Sequence, residues 1–92
     1  MEGETDSLRK RANRNGINFL FIDLDLASTF MDVAEGSQNK ETARRNHSNV
    51  RKAYDAVMRL LPKLRPDEQE RQELDRKLSL LKSRLQAIGH QF

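Results

Sequence analysis

The chain has no cysteine and no tryptophan, a single tyrosine, two prolines and four glycines among its 92 residues. Without cysteine there is neither a disulfide framework nor a thiolate metal site, and a reducing cytoplasm is the expected location. So few prolines and glycines leave little turn chemistry for a multistranded sheet. Together with 34% charged residues they point to an all-α chain. No long apolar run is present either. The longest, Phe19-Leu20-Phe21-Ile22, is followed at once by Asp23 and Asp25, and the N-terminus offers no signal-peptide core. Neither a membrane span nor export is expected. At this length one small core is the limit, with little room for an enclosed active-site cavity.

What the chain does have is concentrated between Ile17 and Ala34, where most of its large apolar side chains lie apart from a few leucines. At 100° per residue, Leu20, Leu24, Ala27, Met31 and Ala34 form one stripe, and Phe19, Ile22, Leu26, Phe30 and Val33 form a second beside it. The two stripes span roughly 200°, twice what a one-sided surface helix needs. Two covers are therefore required, either both from this chain or one from another subunit. If helices 2 and 3 each supply one, Leu24 and Phe30 are both buried. If only one stripe is covered, the other is a dimer interface.

The net charge of +3 is unevenly spread: residues 1–15 carry about +1, 16–35 about −4, 36–65 about +6 and 66–92 about zero. Residues 1–15 hold Arg9, Lys10, Arg11 and Arg14 but only Leu8 and Ala12 as apolar residues past Met1, and Asn15-Gly16 is a turn signal. A basic, flexible N-terminal arm is expected there, dispensable for folding, followed by a bundle domain over 16–92. An antiparallel three-helix bundle is expected, with helices at about 16–35, 39–64 and 66–89. Gly36 can close the first in the left-handed conformation, and Ser37 or Asn39 can cap the second. The second repeats Ala43, Val50, Val57 and Leu64, with Ala53, Tyr54, Leu60 and Leu61 on neighbouring rows. Its basic residues are expected beside the acids of the first helix. Arg65-Pro66-Asp67-Glu68 starts the third, whose stripe is Leu74, Leu78, Leu81, Leu85 and Ile88, and Gly89 ends it.

Residues able to carry chemistry are scarce. His47 and His90 stand at no helical metal spacing, no glycine-rich phosphate loop follows a strand, and no nucleophile sits in an elbow. Asp25 and Asp32 share an outward, solvated face. No enzyme activity, cofactor or metal is expected. Arg9, Lys10, Arg11, Arg14, Arg44, Arg45 and Lys52 form a candidate basic face for phosphates, but no aromatic interleaves them for base stacking. The helices are also longer than a helix-turn-helix requires.

Asp23 projects between the two apolar stripes, where burial without a partner is costly. With the turn near Ser37, antiparallel pairing sets it level with Val50 and Arg51, so a buried structural cluster of Asp23, His47, Arg51 and Tyr54 is expected.

The long apolar first helix, the run Ala53-Tyr54-Asp55-Ala56-Val57-Met58-Arg59-Leu60-Leu61 and the leucines Leu78, Leu81 and Leu85 resemble the three-helix microtubule-interacting-and-trafficking module over residues 19–88. Tyr54, Val57 and Pro62 are similar in spacing to tetratricopeptide hairpins. The resemblance implies a groove beside the third helix that receives a partner helix. The function expected is a non-catalytic protein-interaction or assembly module whose partner is another protein or a second copy. A basic nucleic-acid-binding module is the alternative, and no membrane partner is expected.

Overall fold

The computed structural model describes residues 2–92, with side chains described from residue 5. Helix α1 runs from Glu2 to Gly36, α2 from Lys40 to Leu60, a 3-10 turn from Leu61 to Lys63, and α3 from Glu68 to Ala87. The chain is all-α, a three-helix bundle. Thirty-five residues of α-helix make α1 about 52 Å long, close to the full 57 Å of the molecule.

The first helix does not break at Asn15-Gly16, which corrects its expected start near residue 16; Met1 lies outside the described residues. The physical reason lies in the loop between α2 and α3. Asn13 donates from Nδ2 to the Arg65 carbonyl (3.0 Å) and accepts the Arg65 amide on Oδ1 (2.6 Å). Gly16 lies directly under Leu64, where a Cβ would stand 2.6 Å from a Leu64 methyl. The glycine serves close approach, not a turn. Gly36 is the last residue of α1, as expected, but without the left-handed conformation, and Asn39 caps α2 by accepting the Glu41 and Thr42 amides on Oδ1. Gly89 alone among the described residues has a positive φ, +97°, and closes α3 with the His90 amide donating to the Leu85 carbonyl.

Proline placement explains the second connection. Pro62 has no amide to continue the α-helical ladder, so α2 tightens into the 3-10 turn instead of reaching residue 64. Pro66 precedes the cap rather than opening α3. Asp67 is the N-cap, and it forms a reciprocal capping box with Glu70.

The core is one seam. Ile17, Leu20, Leu24, Ala27, Met31 and Ala34 of α1 meet Val50, Tyr54 and Val57 of α2, Leu61 of the 3-10 turn, and Leu74, Leu78, Leu81 and Leu85 of α3. Ile88, the fifth member of the expected stripe, is exposed past the end of α3. Helix α2 folds back antiparallel to α1. Helix α3 runs parallel to α1, because Arg14 pairs with Glu70, Asp25 with Lys77 and Asp32 with Arg84 in ascending order. The acids of α1 therefore face α3, not the basic side chains of α2. Hydrophobic burial at roughly 25 cal/mol per Å2 holds the seam, and the exposed ion pairs add little.

Candidate interaction face

Only the first of the two apolar stripes on α1 is covered. Leu20, Leu24, Ala27 and Met31 are buried, whereas Phe19 is 53% exposed, Ile22 66%, Leu26 48% and Val33 50%. Phe30 stands between the stripes, half-buried against the core. The expectation that Leu24 is buried holds, and the expectation that helices 2 and 3 divide both stripes does not. The reason is angular: the stripes are centred roughly 130° apart, and α2 and α3 converge on one seam to bury their own leucines and valines.

The uncovered stripe is longer than the sequence reading made it. Because α1 continues through Gly16, Leu8, 61% exposed, falls on the same row. Leu8, Ala12, Asn15, Phe19, Ile22, Leu26, Thr29 and Val33 alternate steps of four and three, the spacing of a coiled-coil seam. Leu8 and Ala12 lie on this row at 100° per residue, although Asn15-Gly16 reads as a break in the sequence.

The opposite flank of α1, beside α3, is ionic. Lys77 Nζ lies 2.7 Å from Asp25, and Arg84 Nη2 lies 2.8 Å from both Asp32 and Glu35. Arg14 bonds one oxygen of Glu70 while the other accepts the Asp67 amide. The Arg14 guanidinium, and next the hydrogen bond with the Asp67 backbone, hold the Glu70 carboxyl below the usual carboxylate range. The Glu35 carboxylate first, with Asp32 adding, raises Arg84. A shallow open cleft of about 280 Å3 lies between these helices, lined by Phe21 and by Asp67, Gln69, Glu70 and Glu73.

The structure does not assemble the expected buried cluster. Among the described residues no charged or polar side chain is fully buried apart from the Tyr54 phenol, and Asp23, His47 and Arg51 are all half-buried. Asn13 opposite Arg65 and Gly16 under Leu64 set Asp23 level with about Ala56, out of register with His47 and Arg51. Arg51 lies on the flank facing the C-terminal tail. Its Nε bonds Asp55 at 3.1 Å, its Nη1 donates to the Gln91 carbonyl at 2.9 Å, and its guanidinium sits 4.0 Å from the Phe92 ring centre. The Phe92 ring meets Tyr54 edge-on at 5.1 Å, so the tail docks on α2 and not on the last turn of α3. Burial, then the Asp55 carboxylate, pushes the Tyr54 phenol up.

The candidate basic face is also divided. Arg9, Lys10, Arg11 and Arg14 circle the N-terminal turns of α1 and are exposed, while Arg44 and Arg45 begin α2 at the other end and Lys52 lies midway. At 1.5 Å per residue the two arginine groups stand roughly 35 Å apart. Among the described residues, no three His, Asp or Glu side chains converge as metal ligands, and no helix is long and apolar enough to cross a membrane.

No family model matches the chain, and no curated protein or solved structure matches it.

Proposed function

We propose that the chain is a non-catalytic protein-interaction or assembly module, and that its docking face is the uncovered stripe of α1. The observation that supports this is the exposed row from Leu8 to Val33, which presents five large apolar residues, Leu8, Phe19, Ile22, Leu26 and Val33, with no intramolecular cover. Such a patch is at the upper end of what a monomer carries, and patches of that size serve recognition. The resemblance to the microtubule-interacting-and-trafficking module favours a groove beside the third helix instead. Against that location, the cleft there is small, carries three carboxylates and is straddled by the ion pairs to α3. The nucleic-acid reading is weaker, because the basic residues are split between two ends and Arg14 is engaged by Glu70.

A double variant, Ile22→Lys with Leu26→Lys, separates the readings. In lysate of the source cell, size-exclusion chromatography of the wild-type chain is expected to show a complex that survives moderate salt, and the variant is expected to elute as a folded monomer. A wild-type chain eluting at monomer size rejects the proposal. Affinity for a labelled DNA duplex that falls by orders of magnitude between roughly 50 and 200 mM salt would favour the nucleic-acid module.

A further inference from the structure

Resting on that reading, we infer that the occupant of the α1 stripe is a second copy of this chain, docked antiparallel about a two-fold axis near residues 20 and 21.

Register, charge and area each point there. In an antiparallel pair about that axis, Leu8 meets Val33 of the other copy, Phe19 meets Ile22, Asn15 meets Leu26 and Ala12 meets Thr29, so every layer sets one row of the stripe against the other. The two central and the two outermost layers are then wholly apolar. A two-fold operator uses the same patch on both copies and closes after two.

Charge selects the direction. Residues 9–14 of α1 carry Arg9, Lys10, Arg11 and Arg14, after an acidic first turn that ends at Asp6, and the C-terminal third carries Asp25, Asp32 and Glu35. A parallel pair sets this arginine turn against itself and Asp32 and Glu35 against their own copies. The antiparallel pair brings Arg11, on one flank of the stripe, against Asp32 of the other copy. Asp32 keeps 71% of its side chain exposed while it pairs with Arg84, so it has room for a second cation. The exposed turn holding Arg9, Lys10 and Arg11 then lies along the turn of the other copy that holds Asp32.

Area sets the strength. Leu8, Phe19, Ile22, Leu26 and Val33 each expose roughly 100 Å2, which gives about 500 Å2 per copy and 1,000 Å2 for the pair, the lower bound of a specific interface. A reversible dimer with a dissociation constant on the order of tens of micromolar is the expected strength.

The test uses the full chain, which has no cysteine of its own. Light scattering of the purified protein from roughly 1 to 200 μM is expected to rise from monomer to dimer mass and stop there. The Ile22→Lys variant, with unchanged helicity, is expected to stay monomeric. Leu8→Cys and Val33→Cys variants mixed in a glutathione redox buffer are expected to give the mixed 8–33 disulfide over either homodisulfide by about fivefold or more, since residue 8 of one copy lies roughly 37 Å from residue 8 of the other. Arg11→Glu is expected to weaken the dimer about tenfold, and adding Asp32→Arg to restore most of that.

Monomer mass throughout overturns the inference; if the lysate complex is nonetheless lost in the stripe variant, the interaction module stands and only its occupant was wrong. A dominant 8–8 disulfide overturns the antiparallel direction. Growth past dimer overturns the closed two-fold, and an unchanged Arg11→Glu dimer overturns the charge argument.

Discussion

Two positions on one helix, two residues apart, carry opposite expectations. Leu24 is 1% exposed and Ile22 is 66% exposed, so truncating each to alanine compares a core cavity with a surface trim at nearly constant helix propensity. Leu24→Ala removes three buried carbons, about 2.4 kcal/mol at about 0.8 kcal/mol per methylene, and leaves a cavity that the packed seam closes only partly. The total is expected at about 3–4 kcal/mol. Set against the roughly 5–15 kcal/mol typical of a domain, that lowers the thermal midpoint by more than about 12 °C. Ile22→Ala is expected to change stability by less than about 0.5 kcal/mol in the monomer. Urea denaturation followed by helical circular dichroism at about 1 μM, where association through the stripe is weak, measures both. At a hundredfold higher concentration Ile22→Ala should lose stability relative to wild type, because ligation by a second copy is then removed. A Leu24→Ala loss under about 1 kcal/mol, or an Ile22→Ala loss equal to it at low concentration, would refute the assignment of the two stripes.

Asn13→Ala removes both bonds to the Arg65 backbone and is expected to cost about 1–2 kcal/mol by chemical denaturation. At about 1 μM, in the monomer, deleting residues 2–11 should shift the midpoint by no more than a few degrees, whereas deletion through residue 15 should cost as much as Asn13→Ala or more, which narrows the segment dispensable for folding to the turns before Asn13. Asp67→Ala opens the capping box and is expected to lower stability by about 0.5–2 kcal/mol. Glu70 is held below its ordinary value in the fold, so its contribution is present above the unfolded carboxylate range and is lost as pH falls through the folded value; a Glu70→Gln variant should show a flatter fall in thermal midpoint between about pH 5 and 3. An equally steep fall would place the acid sensitivity elsewhere.

The core of this bundle was legible because its periodicity was strong. Leu20, Leu24, Ala27 and Met31 of α1, Val50 and Val57 of α2, and Leu74, Leu78, Leu81 and Leu85 of α3 were all on rows that a 100° step exposes, and all are buried. Boundaries at small residues were legible only in part. Gly36 does end α1, though without a left-handed φ, but Gly16 reads as a stop and is helical, since tertiary neighbours such as Leu64 and the Asn13 side chain decide whether a glycine breaks a helix. The Asp23 cluster failed through register: the actual pairing is offset by about five residues from the one a turn at Ser37 suggested, and no local signal announces that Asn13 will hold Arg65. The partner of the acids on α1 was missed for the same reason. Which helix lies on which flank depends on handedness, and periodicity alone does not specify it. That one stripe stays uncovered within the chain is one of the two outcomes its width allows, although the false break hid the N-terminal part of that stripe.

The single uninterrupted α1 has a consequence for local opening. Before Asn13 its turns rest on backbone hydrogen bonds alone, with every described side chain in solvent; from Asn13 onward the loop, Leu64 and then the seam grip it. Amide hydrogens along this one helix should therefore exchange in a stepped profile rather than a graded one: fast through residue 12, then slowing over about one turn to rates set by unfolding of the whole bundle near Ile17. The end of the helix as a geometric object and its end as a cooperative object lie some three turns apart.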